Sequence, residues 1–404
     1  MIELLAPAGN LETLETALYF GADAVYMAGK QYGLRAFADN FTEDGLAQAA
    51  SMTHARGKKL YITVNSVLWN HDLSGLEVYL RYLSEICVDG VIVTDPAVLQ
   101  IISRSAIPLS VHMSTQANIT NYLSASFWHE QGIKRIVLSR EVPLEDIRAI
   151  RENTPQSLEI EAFVHGAMCV AHSGRCLLSS ALTGRSGNKG ACAQPCRWEY
   201  YLYEKGYEGQ YFNIMEDERG TYIMNSRDLM MIRYIPQLVE AGVTSFKIEG
   251  RMKSAYYVAS VVSAYRRAID AYYEQGANYA FDDRLEEELV KSATRGFTTG
   301  FFFGNPGQAG QDTQRDVDLR KYTFVAKITG CMAGGMVHVE QRNKFSTGEM
   351  LEVLSPEIQG AAFKVERIET LTGEMQESAP HPQQALRINC PYPLKPGDLL
   401  RRHD

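Results

Sequence analysis

Eight short apolar runs punctuate the first 250 residues: ELLAP (3–7), DAVYMA (23–28), KLYITVN (59–65), GVIVTD (90–95), PLSVHMS (108–114), KRIVLSR (134–140), LEIEAFVHG (158–166) and TSFKIEG (244–250). Most are continuous rather than alternating, and they are rich in β-branched side chains. A strand with one buried face alternates; a strand buried on both faces does not, which is the habit of parallel sheets. Between the runs lie segments of helical period. In LETLETALYFG (11–21), Leu11, Leu14 and Leu18 share a face and Gly21 stops the helix. TEDGLAQAASMTHARG (42–57) opens on Thr42 as an N-cap and closes on Gly57. Eight such units predict an α/β fold, a TIM-like (β/α)8 barrel. An open doubly wound sheet is the alternative arrangement of the same units.

The seventh connection is abnormally long, covering about residues 166–243. It ends in a polar, tyrosine-rich stretch (199–225) that reads as one or two inserted β-hairpins, with turns at Gly206, Gly209 and Gly220. Helices are expected in 254–276 and 282–296. The barrel with its insertion is thus assigned to residues 1–300, and a glycine-rich linker to 301–320. Residues 321–404 are short strands separated by Gly and Pro turns, and read as a small all-β barrel.

The net charge of −8 argues against a sequence-wide affinity for polyanions, although a local basic face can still bind nucleic acid. No apolar run approaches the roughly 20 residues that span a bilayer. MIELLAPAGN lacks the basic start of a signal peptide, so a cytoplasmic location is expected. In that compartment clustered cysteines are metal ligands or redox thiols more often than disulfides.

Four of the seven cysteines, Cys169, Cys176, Cys192 and Cys196, fall within 28 residues of the insertion. In a barrel of this type the active site lies at the carboxyl ends of the strands. Cys169 follows the seventh strand directly and belongs to that face. Four thiolates from one loop can hold zinc or an iron–sulfur cluster. Six, fifteen and three residues separate successive cysteines, which is neither a paired zinc-knuckle nor a ferredoxin spacing, so the spacing leaves the metal open. Cys87, Cys331 and Cys390 stand in strand-like or apolar contexts and read as ordinary thiols.

Polar side chains cluster at the same strand ends. Asn65 ends the third strand and Asp95 the fourth; His112, Ser114, Gln116 and Asn118 follow one another around the end of the fifth; Glu249 ends the eighth. His165 is a candidate general acid or base, since an unperturbed imidazole titrates near neutrality, or else a structural ring at a strand end. Asp95 and Glu249 are the carboxylates placed to share that role. Glu161 reads as an interior carboxylate or a partner of Arg175.

EAFVHGAMCVAHSGRCLLSS (161–180) resembles the signature of the collagenase-like peptidase family U32. The resemblance extends through LLAPAGN, GADAVYMAG, SREV, NKGACAQPCRWEY, NSRDL and KIEGRMKSAYYV, and so along nearly the whole barrel. The tail is similar to the family's small β-barrel. Besides a reported proteolysis, the resemblance implies RNA hydroxylation, either 5-hydroxyuridine formation at the tRNA wobble position or hydroxylation of a ribosomal cytidine. It implies an iron–sulfur cluster, of the 4Fe-4S type, on the four cysteines and prephenate as the source of the hydroxyl group; zinc is the alternative ion that such thiolates could hold in aerobically prepared protein. Such a dicarboxylate wants cationic partners. Arg140, Lys247, Arg251 and Lys253 stand at or near strand ends and are assigned to it, against the plainer reading of salt bridges or solvated surface. Arg185, Lys189 and Arg197 could meet phosphates, and Trp198, Tyr200 and Tyr201 could stack on a base or pack in the hairpins. Proteolysis has little support in motifs: the chain contains neither H-E-x-x-H nor G-x-S-x-G, and a dyad of His165 with Cys169 would use a thiol needed by the cluster. A non-catalytic RNA-binding module with a structural metal is the third reading.

Overall fold

The computed structural model is described here for the whole chain except residues 35–39, 169–177, 186, 188–189, 196–200, 203–211, 214, 218–219, 223–225, 307–309, 311–320 and 333–334; for residues 181 and 201–225 only the backbone is considered. Strands β1 (Glu3–Pro7), β2 (Ala24–Met27), β3 (Lys59–Val64), β4 (Gly90–Val93), β5 (Val111–Met113), β6 (Arg135–Val137) and β7 (Glu159–Gly166) pair in succession, all parallel. The chain then forms helix α7 (Leu178–Thr183) and two antiparallel hairpins, β8 (Tyr201–Leu202) with β9 (Phe212–Asn213) and β10 (Met215–Asp217) with β11 (Gly220–Tyr222). It returns as β12 (Asp228–Met230), antiparallel to β7. Strand β13 (Ser245–Ile248) pairs with both β7 and β1 and closes a barrel of eight parallel strands.

All eight expected strands are present, and the closed barrel replaces the open-sheet alternative. Two features were not foreseen. Strand β12 lies outside the barrel and carries a further parallel strand, β14 (Phe297–Thr298). Gly220 begins β11 rather than forming a turn, while Gly206 and Gly209 lie outside the described residues.

Period-two alternation sorts the strand side chains into two cores. Leu4, Val25, Leu60, Ile62 and Val91 face the helical layer, whereas Leu5, Ala24, Tyr26, Tyr61 and Ile92 form a separate cluster inside the barrel. The helices begin where their caps dictate. Asn10 caps α1 (Leu11–Tyr19) through a reciprocal box with Thr13, and Thr42 caps α2 (Glu43–His54) by accepting from the Gly45 N–H. Ser254 caps α9 (Ala255–Gln275), the longest helix, with 21 residues. Among the described residues, no helix is long and apolar enough to cross a membrane.

From Tyr322 onward an eight-stranded antiparallel sheet curls into a half-barrel around Val325, Ile328, Val339, Leu351 and Leu386. It docks on α1, α9 and α10 (Asp283–Lys291). Arg401, almost wholly buried, forks onto Glu288 of α10 at 2.5 and 2.6 Å and also reaches Glu352. The same guanidinium bonds the Tyr256 hydroxyl at 3.4 Å, and the Tyr256 ring stacks on Phe324. Tyr19 and Asp398 add a 2.9 Å hydrogen bond, and Arg342 pairs with Glu12.

Candidate functional site at the barrel mouth

The lower half of the barrel is charged. The carboxylate of Glu161, on β7 and fully buried, accepts from Lys247 Nζ at 2.7 Å and from Arg135 at 3.1 Å. Arg135 also binds Glu3 at 2.5 Å and Glu159 at 2.6 Å, and Tyr61 donates to Glu3 at 2.8 Å. Burial raises the Glu3 pKa, but the Arg135 charge and three donated hydrogen bonds outweigh it and hold the carboxyl below its usual range. Charges so placed persist only as a balanced set. Lys247 therefore stands inside this network, between the rings of Tyr26 (4.5 Å) and Phe163 (5.3 Å), its ammonium neutralised by Glu161 rather than presented at the mouth. His112 is also interior. Its ring lies 4.6 Å from that of Tyr61, and a Cβ at Gly90 would come within 3.3 Å of its Nε2. Burial, then Arg135 and Lys247, push its pKa well below neutrality.

Where β7 meets β13 the pairing slips between Lys247 and Ile248, and Ile248 comes opposite His165. The slip turns His165 out of the barrel. Its ring packs among Tyr257, Tyr265 and Phe297, and burial, followed by the charge of Lys253, lowers its pKa to about 3. A neutral imidazole of this kind is a weak base. Three tyrosines pin the surrounding carbonyls: Tyr265 donates to Val164, Tyr26 to Ile248 and Tyr257 to Glu249. Gly166, at φ 105°, makes the close crossing possible, because a Cβ there would lie 2.6 Å from the Glu249 carbonyl oxygen.

Above this wall, consecutive strand ends form a polar rim. Asn65 follows β3, Thr94 follows β4, and Ser114 and Gln116 follow β5. The Gln116 oxygen accepts from Asn65 at 2.9 Å, Thr94 at 3.2 Å and Ser114 at 3.3 Å. Asn65 in turn accepts the Leu34 N–H at 3.2 Å. Arg251 is buried beside them, donating to Thr63 at 3.1 Å and to the Leu34 carbonyl. Across the mouth Arg140 binds Glu249 at 2.9 Å and lies 4.0 Å above the Phe163 ring. Lys253 approaches the Tyr257 ring at 5.2 Å. Asn118, at φ 54°, bonds back to the Gln116 carbonyl. Asp95 caps α4 (Pro96–Arg104) by accepting from the Ala97 N–H at 2.9 Å, which gives this carboxylate a structural task.

The structure thus brings together Asn65, Gln116, Asn118 and Arg251 on one side of the rim, and Arg140 and Glu249 on the other. It keeps His112 and Lys247 inside and His165 in the outer wall. Thr63, Thr94, Phe163 and Arg135 were missed. Alternation along KLYITVN places Tyr61, Thr63 and Asn65 on one face, so Thr63 could have been found. Arg135 gives no sequence signal beyond being a cation in an apolar run.

Of the expected ligands, Cys169, Cys176 and Cys196 lie outside the described residues, as do Arg175, Lys189, Arg197, Trp198 and Tyr200; only the backbone of Tyr201 is described. Cys192 is half-buried, and its sulfur accepts the Gln194 N–H at 3.3 Å. Its loop is tied to α7 through Ser179, which accepts the Ala193 N–H and donates to the Arg185 carbonyl. An N–H···S bond of this kind suits a metal-bound thiolate. Among the described residues, no three His, Cys, Asp or Glu side chains are grouped to hold a metal.

The profile of peptidase family U32 matches residues 9–312, and that of the family's C-terminal domain matches residues 320–401. The chain belongs to peptidase family U32. This U32 protein is 40% identical over 401 residues to "tRNA hydroxylation protein P1" of Bacillus subtilis, covering 99% of this chain and 94% of that protein. It is 31% identical over 422 residues to a protein named "Collagenase" from Porphyromonas gingivalis, covering 100% and 98%. A third U32 relative, a 23S rRNA 5-hydroxycytidine synthase of Escherichia coli, is 36% identical over 307 residues, covering 74% of this chain and 44% of that protein.

Proposed function

We propose that this protein hydroxylates RNA, forming 5-hydroxyuridine at the tRNA wobble position with prephenate as hydroxyl donor. The observation that carries this reading is the end-to-end similarity to a tRNA hydroxylation protein, 40% identical across 99% of the chain. The rim supports it with chemistry suited to a small dicarboxylate and a base edge. Arg140 is a guanidinium fork at the mouth, where an entering carboxylate competes with Glu249 for it, and the buried Arg251 adds positive charge behind the rim. Phe163 holds the Arg140 plane from below. Asn65 and Gln116 offer amides to the polar edge of a splayed-out base. Cys169, Cys176, Cys192 and Cys196 would hold the iron–sulfur cluster, which when bound supplies electron transfer or a Lewis-acidic iron.

Nucleoside mass spectrometry of tRNA from a strain lacking the gene tests the reading. We expect 5-hydroxyuridine to disappear, and to return with the wild-type gene but not with Cys192→Ser. Unchanged hydroxyuridine in the deletion strain sinks the tRNA assignment.

The full-length similarity to a protein named "Collagenase" keeps a peptidase as the second reading. His165, the base that a Cys–His peptidase would need, has its pKa lowered to about 3 and is enclosed by rings, which favours the hydroxylase. Gelatin cleavage that survives loss of the cluster would reverse that preference.

A further inference from the structure

The oxygen and nitrogen of a side-chain amide are told apart by their hydrogen bonds. At the rim the assignment starts from a group that cannot be reversed. The main-chain N–H of Leu34 only donates, and it meets Asn65 at 3.2 Å, so that end of Asn65 is Oδ1. The other end, 2.9 Å from Gln116, is therefore the Nδ2 donor, and the Gln116 atom it meets is Oε1. The Ser114 oxygen is occupied by the Gln116 main-chain N–H at 3.4 Å, which leaves the Ser114 proton for Oε1 at 3.3 Å. Thr94 adds a third donor at 3.2 Å. Turning the amide over would set Nε2 against Asn65 Nδ2, donor against donor. Gln116 is only 5% exposed, and its Nε2 has no hydrogen-bond partner among the described residues. With Oε1 taken by three donors, what the side chain has left to offer a ligand is two N–H donors and no acceptor.

We propose that Gln116 is a specificity-determining residue: an amide locked as a pure donor, which selects an sp2 oxygen on the incoming ligand and rejects an amino group. The proposal rests on the mouth being the RNA-hydroxylating site. Two ligands would bring such an oxygen there, the target base through a uracil carbonyl and the small hydroxyl donor through a carboxylate. Cytosine carries an amino group where uracil carries O4. On the base, the same lock separates uridine from cytidine.

The test compares the wild-type protein with Gln116→Glu, which keeps the locked oxygen but replaces the donor with an acceptor, and with Gln116→Met, which keeps the length without polarity. Binding is measured by anisotropy for labelled anticodon stem–loops carrying U or C at the wobble position, and by calorimetry for prephenate. If Gln116 reads the base, wild type prefers U by about tenfold and both variants lose the preference. If it reads the small donor, prephenate binding falls about tenfold in both variants while the RNA affinities stay level. Unchanged affinities in both arms overturn the proposal. If the wild type binds neither stem–loop, the RNA reading fails and the prephenate arm alone decides the role of Gln116. Gln116→Met keeps the test open if the glutamate disturbs the three donors.

Discussion

His165 shows how far one side chain can be read from sequence. Its place at the end of an apolar run was legible; its direction was not, because that depends on a one-residue slip in the β7–β13 pairing. The slip has a thermodynamic consequence. The folded imidazole has a pKa of about 3, against about 6.5 for an unperturbed histidine. Between those values the unfolded chain binds a proton that the fold refuses. Stability is therefore full above the unfolded value and declines as the pH falls towards the folded one. From about pH 7 to pH 5 the loss from His165 is about 2 kcal/mol. His165→Phe should flatten the pH dependence of Tm across this interval, and an equal slope in both proteins would show that His165 is not the group responsible. Asn65, Gln116 and Arg251 were legible because a polar residue just past a buried strand lands on the mouth whatever the loop does.

Elements were the easiest scale to read. Continuous apolar runs announce strands buried on both sides, and eight of them in series left few topologies. Strand β12 was missed because three residues carry too little pattern to separate a strand from a loop. The carboxyl end of β7 depends on glycine in a way only the crossing reveals. Gly166→Ala meets both a left-handed backbone and a carbonyl 2.6 Å from the new Cβ. We expect it to cost at least roughly 1–3 kcal/mol in urea unfolding. A loss below about 0.5 kcal/mol would mean that the crossing relaxes freely.

At the scale of the whole molecule, the change of texture near residue 320 announced the half-barrel. Its mode of docking left no trace, because ion pairs between residues more than a hundred positions apart have no period. Arg401 is the centre of that joint, and Arg401→Ala leaves the largely buried Glu288 and Glu352 to share Lys291 as their one remaining cation among the described residues. A cost of about 3–5 kcal/mol is expected. Limited proteolysis should then cleave the chain near residues 301–320 faster than in wild type. Equal cleavage rates would mean that apolar contacts alone hold the half-barrel in place.

Tyr256 and Tyr257 are neighbours in the first turn of α9, one held by Arg401 and the other bonded to the Glu249 carbonyl. A single peptide unit therefore yokes the smaller lobe to the lip of the larger one. A substitution that displaces Tyr256 from the joint is thus one residue away from the hydroxyl that fixes the Glu249 carbonyl.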